Sequence, residues 1–134
     1  EANRLNNVVA IQKALWSQKQ PLDMYLSGNA AAHSVYHDAF YSSTGDSIRV
    51  EADTLDGILE ELDIAAVDFI KMDIEGSEIE ALKGMRKALE SQVQLAIAAY
   101  HPVGGQLAHT VIAPQLTQLG FTISYADGIM RARR

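Results

Sequence analysis

Cysteine is absent from the 134 residues of this chain. Its absence excludes disulfide bonds, catalysis by a thiolate and every metal site built on cysteine sulfur. Because stable disulfides belong mainly to secreted and periplasmic proteins, a chain without cysteine fits the reducing cytoplasm. We therefore expect a cytoplasmic protein.

Positive charge is scarce, with 11 lysines and arginines against 17 acidic residues and a formal net charge of −6. Nucleic-acid binding needs a basic face that neutralises phosphates. The arginines at the C-terminus are too few to provide one, and we interpret Arg131, Arg133 and Arg134 as a solvated tail. A nucleic-acid partner is therefore not expected.

Long apolar runs are missing as well, since none approaches the roughly 18 residues of a membrane-spanning helix, and no signal peptide is recognisable. We expect no membrane partner. The length and the 48% hydrophobic content suit a single domain over residues 1–134. Because the chain starts at Glu1 in what resembles the end of a helix, we interpret it as a fragment of a longer protein.

Apolar residues recur with two periods along the chain, and turn residues separate the segments. Strands are predicted at 8–15, 22–27, 47–53, 67–72, 93–100, 121–125 and 129–133. Helices are predicted at 54–63, 77–90 and 107–119. Thr54 is a good N-cap for the first helix, and Ser77 and Glu80 form a capping box for the second. We expect the third to kink or split at Pro114 and to end at Gly120.

The order of these segments indicates the fold class. Strands that alternate with helices form a mainly parallel sheet with crossover helices, so we predict an α/β fold. Residues 67–72 are apolar on both faces, which indicates a central strand covered by helices on both sides. Residues 22–27 and 47–53 alternate apolar and polar side chains, so we expect them to pair as antiparallel strands, and Asp127–Gly128 predicts a hairpin.

Two strand ends carry residues suited to chemistry, at the edge where open α/β sheets bind ligands. Asp73 follows the strand at 67–72, and His101 follows the next strand. A short right-handed crossover makes these strands neighbours, and a carboxylate beside an imidazole suits removal of a proton from a hydroxyl. We predict Asp73 and His101 as catalytic residues, and Glu75 and Tyr100 at the same ends as substrate-binding residues.

Structural roles compete with these functional ones. Lys71 lies on the same strand face as Asp73, and an ion pair between them is slightly favoured over catalysis by the lysine. Glu75 and Glu78 lie at a helix N-terminus, where the dipole favours acids, and that role is as well supported for each as a functional one. His101 suits a hydrogen-bonded structural histidine equally well.

Histidine and aromatic rings collect in residues 28–47, the one long loop that the sequence predicts. Long loops in compact domains are usually functional or disordered, and we expect selectivity for the substrate here. His33 and His37 have the i, i+4 spacing of a helical metal site, but the glycine- and serine-rich context disfavours a helix. We expect no metal ion, and we place His109 on the surface.

Specific residues recur in one run, DFIKMDIEGSE at 68–78 with ALKG at 81–84, and this run resembles the signature of the FkbM family of S-adenosylmethionine-dependent methyltransferases. Flanking pieces at 14–15, 54–56 and 98–101 resemble the same family. The resemblance implies a Rossmann-like class I methyltransferase fold, S-adenosylmethionine as the donor, and methyl transfer to a hydroxyl of a sugar or natural product.

By position, the resemblance also implies roles for single residues. Asp73 would face both donor and substrate, and Ala14 and Leu15 would contact the adenine of the cofactor. His101 would lie near a small-molecule or glycan acceptor. These roles depend on the family, whereas the strand-end prediction for Asp73 and His101 does not.

One part of the family pattern is missing from these residues. Members carry a first strand with a glycine-rich turn that holds the donor and a second strand whose acid binds the ribose, and Gly104–Gly105 lacks the spacing of such a turn. In the usual strand order 3-2-1-4-5-7-6, the strand at 8–15 would then lack its neighbour. The resemblance thus implies that residues 1–134 are the C-terminal portion of a class I methyltransferase domain, and we expect this fragment to be inactive alone. The alternative is a non-catalytic module that oligomerises through the exposed edge of residues 67–72.

Overall fold

The computed structural model of the chain describes residues 5–29, 32–36 and 43–134. Within them, nine strands and four helices form a mixed α/β fold with three sheets, which confirms the coarse α/β prediction. The strands are β1 (Ala14–Leu15), β2 (Gln20–Ser27), β3 (Ser43–Asp53), β4 (Phe69–Met72), β5 (Gln94–Ala98), β6 (Pro102–Val103), β7 (Gln106–Leu107), β8 (Thr122–Ala126) and β9 (Ile129–Arg133). The helices are α1 (Leu55–Glu61), α2 (Glu78–Lys83), α3 (Arg86–Glu90) and α4 (Ala108–Gln118).

The first sheet has the order β1-β3-β2. β2 and β3 are antiparallel, with Leu22 opposite Val50, as their alternating pattern predicted. β1 pairs in parallel with β3 but keeps only the last two residues of the strand predicted at 8–15. That prediction was wrong for residues 8–13, which find no pairing strand among the described residues. The predicted N-cap Thr54 is confirmed, because its Oγ1 accepts a backbone N–H of α1.

The second sheet has the order β4-β5-β9-β8, in which β4 and β5 are parallel and the other two pairs are antiparallel. The prediction of a mainly parallel sheet was therefore wrong. The cause is the predicted hairpin at Asp127–Gly128, whose φ angles of 52° and 78° suit a tight turn. Its second strand, β9, inserts between β5 and β8.

β4 lies at the edge of this sheet and pairs with β5 alone among the described residues. Ile70 and Met72 are buried, whereas Phe69 is 57% exposed and Lys71 is exposed as well. The prediction of a central strand covered on both faces was thus wrong, because the apolar side chain of Phe69 lies on the exposed face.

The core joins side chains of the second sheet to those of α2, α3 and α4. The side chains buried most completely in it include Met72, Met85, Ile97, Ile112 and Met130. The third sheet is the hairpin β6–β7, which turns at the predicted break Gly104–Gly105. No described helix has the length and apolar character that crossing a membrane requires.

Two helix predictions need correction. The helix predicted at 77–90 is split into α2 and α3 at Gly84, where a Cβ would lie 2.2 Å from the Trp16 carbonyl oxygen. Glycine permits this close approach because it has no Cβ. α4 runs through Pro114 as one helix, whereas Gly120 follows its end with a φ of +87°, as a C′ glycine does.

Candidate active site

The parallel pair β4–β5 brings the two predicted strand ends together. Met72 lies opposite Ile97, so the residues that follow β4 and β5 emerge at one edge of the sheet. Asp73, Glu75 and His101 each offer one ligand atom there, and these atoms all lie within 4.8 Å of one another. The predicted proximity of Asp73 and His101 is confirmed; their catalytic roles stay predictions.

His101 is the centre of this edge and is only 3% exposed. Its Nδ1 lies 3.2 Å from Oε1 of Glu78, and its Nε2 lies 3.3 Å from Oε2 of Glu75. Burial disfavours the imidazolium, but the hydrogen bond to Glu78 and the charges of Glu78, Glu75 and Asp73 outweigh burial and raise the pKa of His101. The imidazole is thus held between two carboxylates.

Glu78 is fully buried at the start of α2. Its Oε1 accepts the backbone N–H of Ile74 at 3.1 Å, while its Oε2 is buried without a hydrogen-bond partner among the described residues. The predicted start of a helix here is confirmed. The predicted capping box was wrong, because Ser77 makes no capping hydrogen bond and the Glu80 carboxylate pairs with Lys83.

Glu78 is the site residue that the predicted set left out. One signal was available: Glu78 lies four residues before Leu82 and eleven before Leu89, which places it on the apolar stripe of the helical segment. An acid on such a stripe must find a buried partner. The identity of that partner, His101, depends on the crossover to β5 and is not visible in local sequence.

Glu75 occupies a strained turn between β4 and α2. Its φ is 53° and that of Gly76 is 93°, so two consecutive residues adopt left-handed conformations. The Glu75 carbonyl accepts a hydrogen bond from Oγ of Ser34 at 2.8 Å, which ties the turn to the segment after β2. Strain of this kind in a residue other than glycine is often found at functional sites.

Asp73 and Tyr100 complete the edge at the solvent side. Asp73 pairs with Lys71 at 3.2 Å, which confirms the predicted ion pair, and both side chains are exposed. Tyr100 is 48% exposed, and its ring centroid lies 4.2 Å from that of His101. The pKa of the Tyr100 hydroxyl is raised, mainly by partial burial and to a smaller extent by the charges of Asp73, Glu75 and Glu78.

A cavity of about 420 Å³ opens between the first sheet and this edge. It collects the predicted cofactor residues Ala14, Leu15 and Asp73 together with Glu75, whereas His101 and Tyr100 are not among its lining residues. The complete lining consists of Lys13, Ala14, Leu15, Met24, His33, Ser34, Val35, Asp73, Ile74, Glu75 and Ser77.

The remaining histidines have other partners. Nδ1 of His33 accepts the backbone N–H of Ser27 at 3.0 Å, so the neutral ring carries its proton on Nε2. His37, the other half of the disfavoured metal pair, lies outside the described residues. The prediction that His109 lies on the surface needs correction, since it is half-buried and stacks on Tyr125 with centroids 4.3 Å apart.

Comparison with known proteins identifies the family of this chain. The family model of the methyltransferase FkbM domain matches residues 3–123. The chain belongs to the FkbM methyltransferase family. It is 32% identical over 80 residues to the 31-O-demethyl-FK506 methyltransferase FkbM of Streptomyces tacrolimicus. That alignment covers 60% of this chain and 30% of the relative, and no solved structure gives a significant match.

Family membership confirms the resemblance seen in the run at 68–78. In the structure this FkbM-family run covers β4, the strained turn and the first residue of α2. It therefore contributes Asp73, Glu75 and Glu78 to one edge, and only His101 and Tyr100 come from the next strand end. A short stretch of sequence supplies every carboxylate that surrounds the imidazole among the described residues.

Proposed function

We propose that this chain forms the acceptor side of a methyltransferase that moves the methyl group of S-adenosylmethionine to a hydroxyl of a sugar or natural product. The acceptor would be a small molecule or a glycan. Family membership supports methyl transfer in general. The name of the Streptomyces relative, which gives 31-O-demethyl-FK506 as the molecule it methylates, supports oxygen as the receiving atom.

The observation that carries the proposal is the composition of the cavity. Its volume of about 420 Å³ lies in the range of small-molecule sites. Ala14 and Leu15 supply an apolar wall, and Asp73 and Glu75 supply negative charge. S-adenosylmethionine combines a flat adenine with a positively charged sulfonium, so both kinds of wall suit it.

Strand order supports the proposal of a Rossmann-like class I fold. The order 4-5-7-6 at one end of the family's usual sheet corresponds to β4-β5-β9-β8 here, with the last two strands likewise exchanged by a hairpin. The donor-binding turn of that fold is not among these residues. We therefore propose that the chain binds the donor weakly and is inactive alone, and we keep the cytoplasm as its expected location.

The chemistry of methyl transfer needs alignment and a way to remove one proton. The acceptor oxygen forms a bond to the methyl carbon as the sulfur–carbon bond breaks, and the hydroxyl proton leaves. Asp73 and Glu75 line the cavity, and a ring nitrogen of His101 lies within 4.8 Å of their carboxylate oxygens. These three side chains are the ones we propose to assist that loss. We propose that Tyr100 and Glu75 contact the acceptor.

The test uses methyl-labelled S-adenosylmethionine, a panel of hydroxylated sugars and natural products, and the complete gene product that contains these residues. Replacing Asp73 with Ala is expected to lower the rate by about 10²–10⁴-fold, the usual contribution of a proton-transferring group. Glu90→Ala, at an exposed position at the end of α3, is the matched control and should keep its rate. Unchanged turnover of the Asp73→Ala variant would remove Asp73 from the mechanism.

A second function, a non-catalytic module that forms homo-oligomers, is favoured by one observation. β4 is an edge strand with Phe69 57% exposed, and such edges pair readily with other chains. Sedimentation would show a dimer that Phe69→Lys dissociates, together with no binding of the donor. A monomer at all concentrations would eliminate this module.

A further inference from the structure

Three potential metal ligands of two kinds converge at the edge of β4 and β5. Asp73 and Glu75 offer carboxylate oxygens, His101 offers an imidazole nitrogen, and these atoms lie within 4.8 Å of one another. We propose that Asp73, Glu75 and His101 bind one divalent cation of the zinc or manganese type. Mixed nitrogen and oxygen ligands suit such ions better than calcium or magnesium, which prefer oxygen alone.

The separation of the two inner ligands fits an ion between them. Nε2 of His101 and Oε2 of Glu75 are 3.3 Å apart. Two ligand atoms of a tetrahedral zinc ion with bonds of about 2.1 Å are separated by about 3.4 Å. The pair is therefore already at the spacing of two neighbouring ligands.

Glu78 supplies an independent indication from behind the imidazole. Its Oε1 lies 3.2 Å from Nδ1 of His101, which directs the Nε2 lone pair toward Glu75. Metal-binding histidines commonly donate their other N–H to a carboxylate in this way. Glu78 is also fully buried, and its Oε2 has no hydrogen-bond partner among the described residues. A buried carboxylate left in this state calls for positive charge nearby.

The excess of negative charge at this edge also favours binding of a cation. Asp73, Glu75 and Glu78 surround one imidazole, and Lys71 is the one lysine or arginine that pairs with any of them in the described part of the chain. The side chain of Lys71 is 63% exposed, and exposed pairs of this kind are weak. The Asp73 carboxylate can therefore leave Lys71 and rotate onto the ion at little cost.

The role of the ion rests on the proposed function, although its binding does not. A bound cation lowers the pKa of a coordinated hydroxyl. The acceptor hydroxyl would release its proton to water, and its oxygen would attack the methyl carbon while the electron pair of the sulfur–carbon bond stays on sulfur. The sulfonium becomes a thioether, and His101 serves as a ligand instead of as the base.

Calorimetry of the tag-free, metal-stripped chain with zinc, manganese and magnesium chlorides, in the absence of donor and acceptor, tests the site. We expect one zinc or manganese ion per chain and weaker magnesium binding. Asp73→Asn and Glu75→Gln should each weaken zinc binding at least about tenfold, and Glu78→Gln by about 10- to 100-fold. Lys71→Met should strengthen it, because the competing ammonium is gone.

Two variants serve as controls: His109→Gln changes a histidine outside the three-ligand cluster, and Glu90→Gln changes an exposed acid that precedes the start of β5. Both should bind zinc as the unchanged chain does. Circular dichroism verifies that each variant is folded. The metal site would be overturned if zinc and manganese showed no saturable binding. It would also be overturned if the folded Asp73→Asn and Glu75→Gln variants bound zinc as tightly as the unchanged chain. Full methylation by a chelator-treated enzyme would overturn the role given to the ion and leave the proposed function standing.

Discussion

Glu78 and His101 are separated by 23 positions in the chain, yet Glu78 Oε1 and His101 Nδ1 lie 3.2 Å apart in the interior. The contact forms because α2 and α3 lead from β4 back to its parallel neighbour β5. It joins the run that identifies the family to the second strand end. The first prediction concerns this contact.

Replacing Glu78 with Ala should lower the free energy of unfolding by about 3–5 kcal/mol, the usual cost of removing one partner of a buried charged pair. The loss arises because the imidazole of His101 and the N–H of Ile74 would both lose their acceptor. Urea denaturation measures it. Glu90→Ala, at an exposed position, should stay within about 0.5 kcal/mol of the unchanged chain. If the Glu78→Ala variant were as stable to urea as this control, the contact would contribute little to the free energy of unfolding.

The second prediction is that adding a side chain at Gly84 disrupts the packing of the first sheet against the helices. A Cβ at this position would lie 2.2 Å from the Trp16 carbonyl oxygen, a backbone atom that a rotamer change cannot move. Gly84→Ala should therefore cost about 1–3 kcal/mol or more. Gly28→Ala is the matched control, since nothing lies within 4 Å of its added Cβ. Thermal unfolding of the two variants should differ, and equal midpoints would contradict this packing.

The sequence predicted those features that depend on neighbouring residues. The hairpin at Asp127–Gly128, the N-cap Thr54 and the C′ glycine Gly120 each follow from local backbone requirements. The meeting of Asp73 with His101 followed from one general rule, that a short crossover makes parallel strands neighbours.

Features that depend on distant partners were not predictable in the same way. Residues 67–72 have an apolar pattern that both an edge and a central strand can show, and only the pairing of β4 decides between them. Residues 8–13 are apolar enough for a strand but find no partner among the described residues. Glu78 was not among the predicted site residues because acids are common in a first helical turn, and its partner His101 lies beyond the next crossover.

The third prediction is that Asp53 makes the stability of the chain depend on pH. Its carboxylate is almost fully buried and accepts a hydrogen bond from Lys13 Nζ at 2.9 Å and another from the Thr54 N–H. The hydrogen bond from Lys13 is the largest cause that lowers the pKa of Asp53. Burial opposes this effect, and the Thr54 N–H and the charge of Lys19 add to it. A lowered pKa in the folded state means that the native chain binds fewer protons than the unfolded chain.

The stabilisation from Asp53 is therefore complete above the unfolded pKa of about 3.9 and is lost as the pH falls through the folded value. Urea denaturation between about pH 6 and pH 3 should show stability falling on acidification, and Asp53→Asn should remove part of that slope. Asp23→Asn, in an exposed pair with Arg49 at 3.4 Å, should leave the slope as it is. Identical pH profiles for the unchanged chain and Asp53→Asn would contradict the prediction.

The proposed function requires the cavity between the first sheet and the β4–β5 edge to bind the methyl donor, if only weakly. The most direct measurement is a titration of the isotope-labelled chain with S-adenosylmethionine, followed by the amide chemical shifts, which detect weak binding as well as tight binding. We predict saturable shifts at Ala14, Leu15 and residues 73–77, and none at Glu90 at the end of α3. Saturable shifts confined to residues outside the cavity lining, or no shifts at these positions, would contradict this requirement.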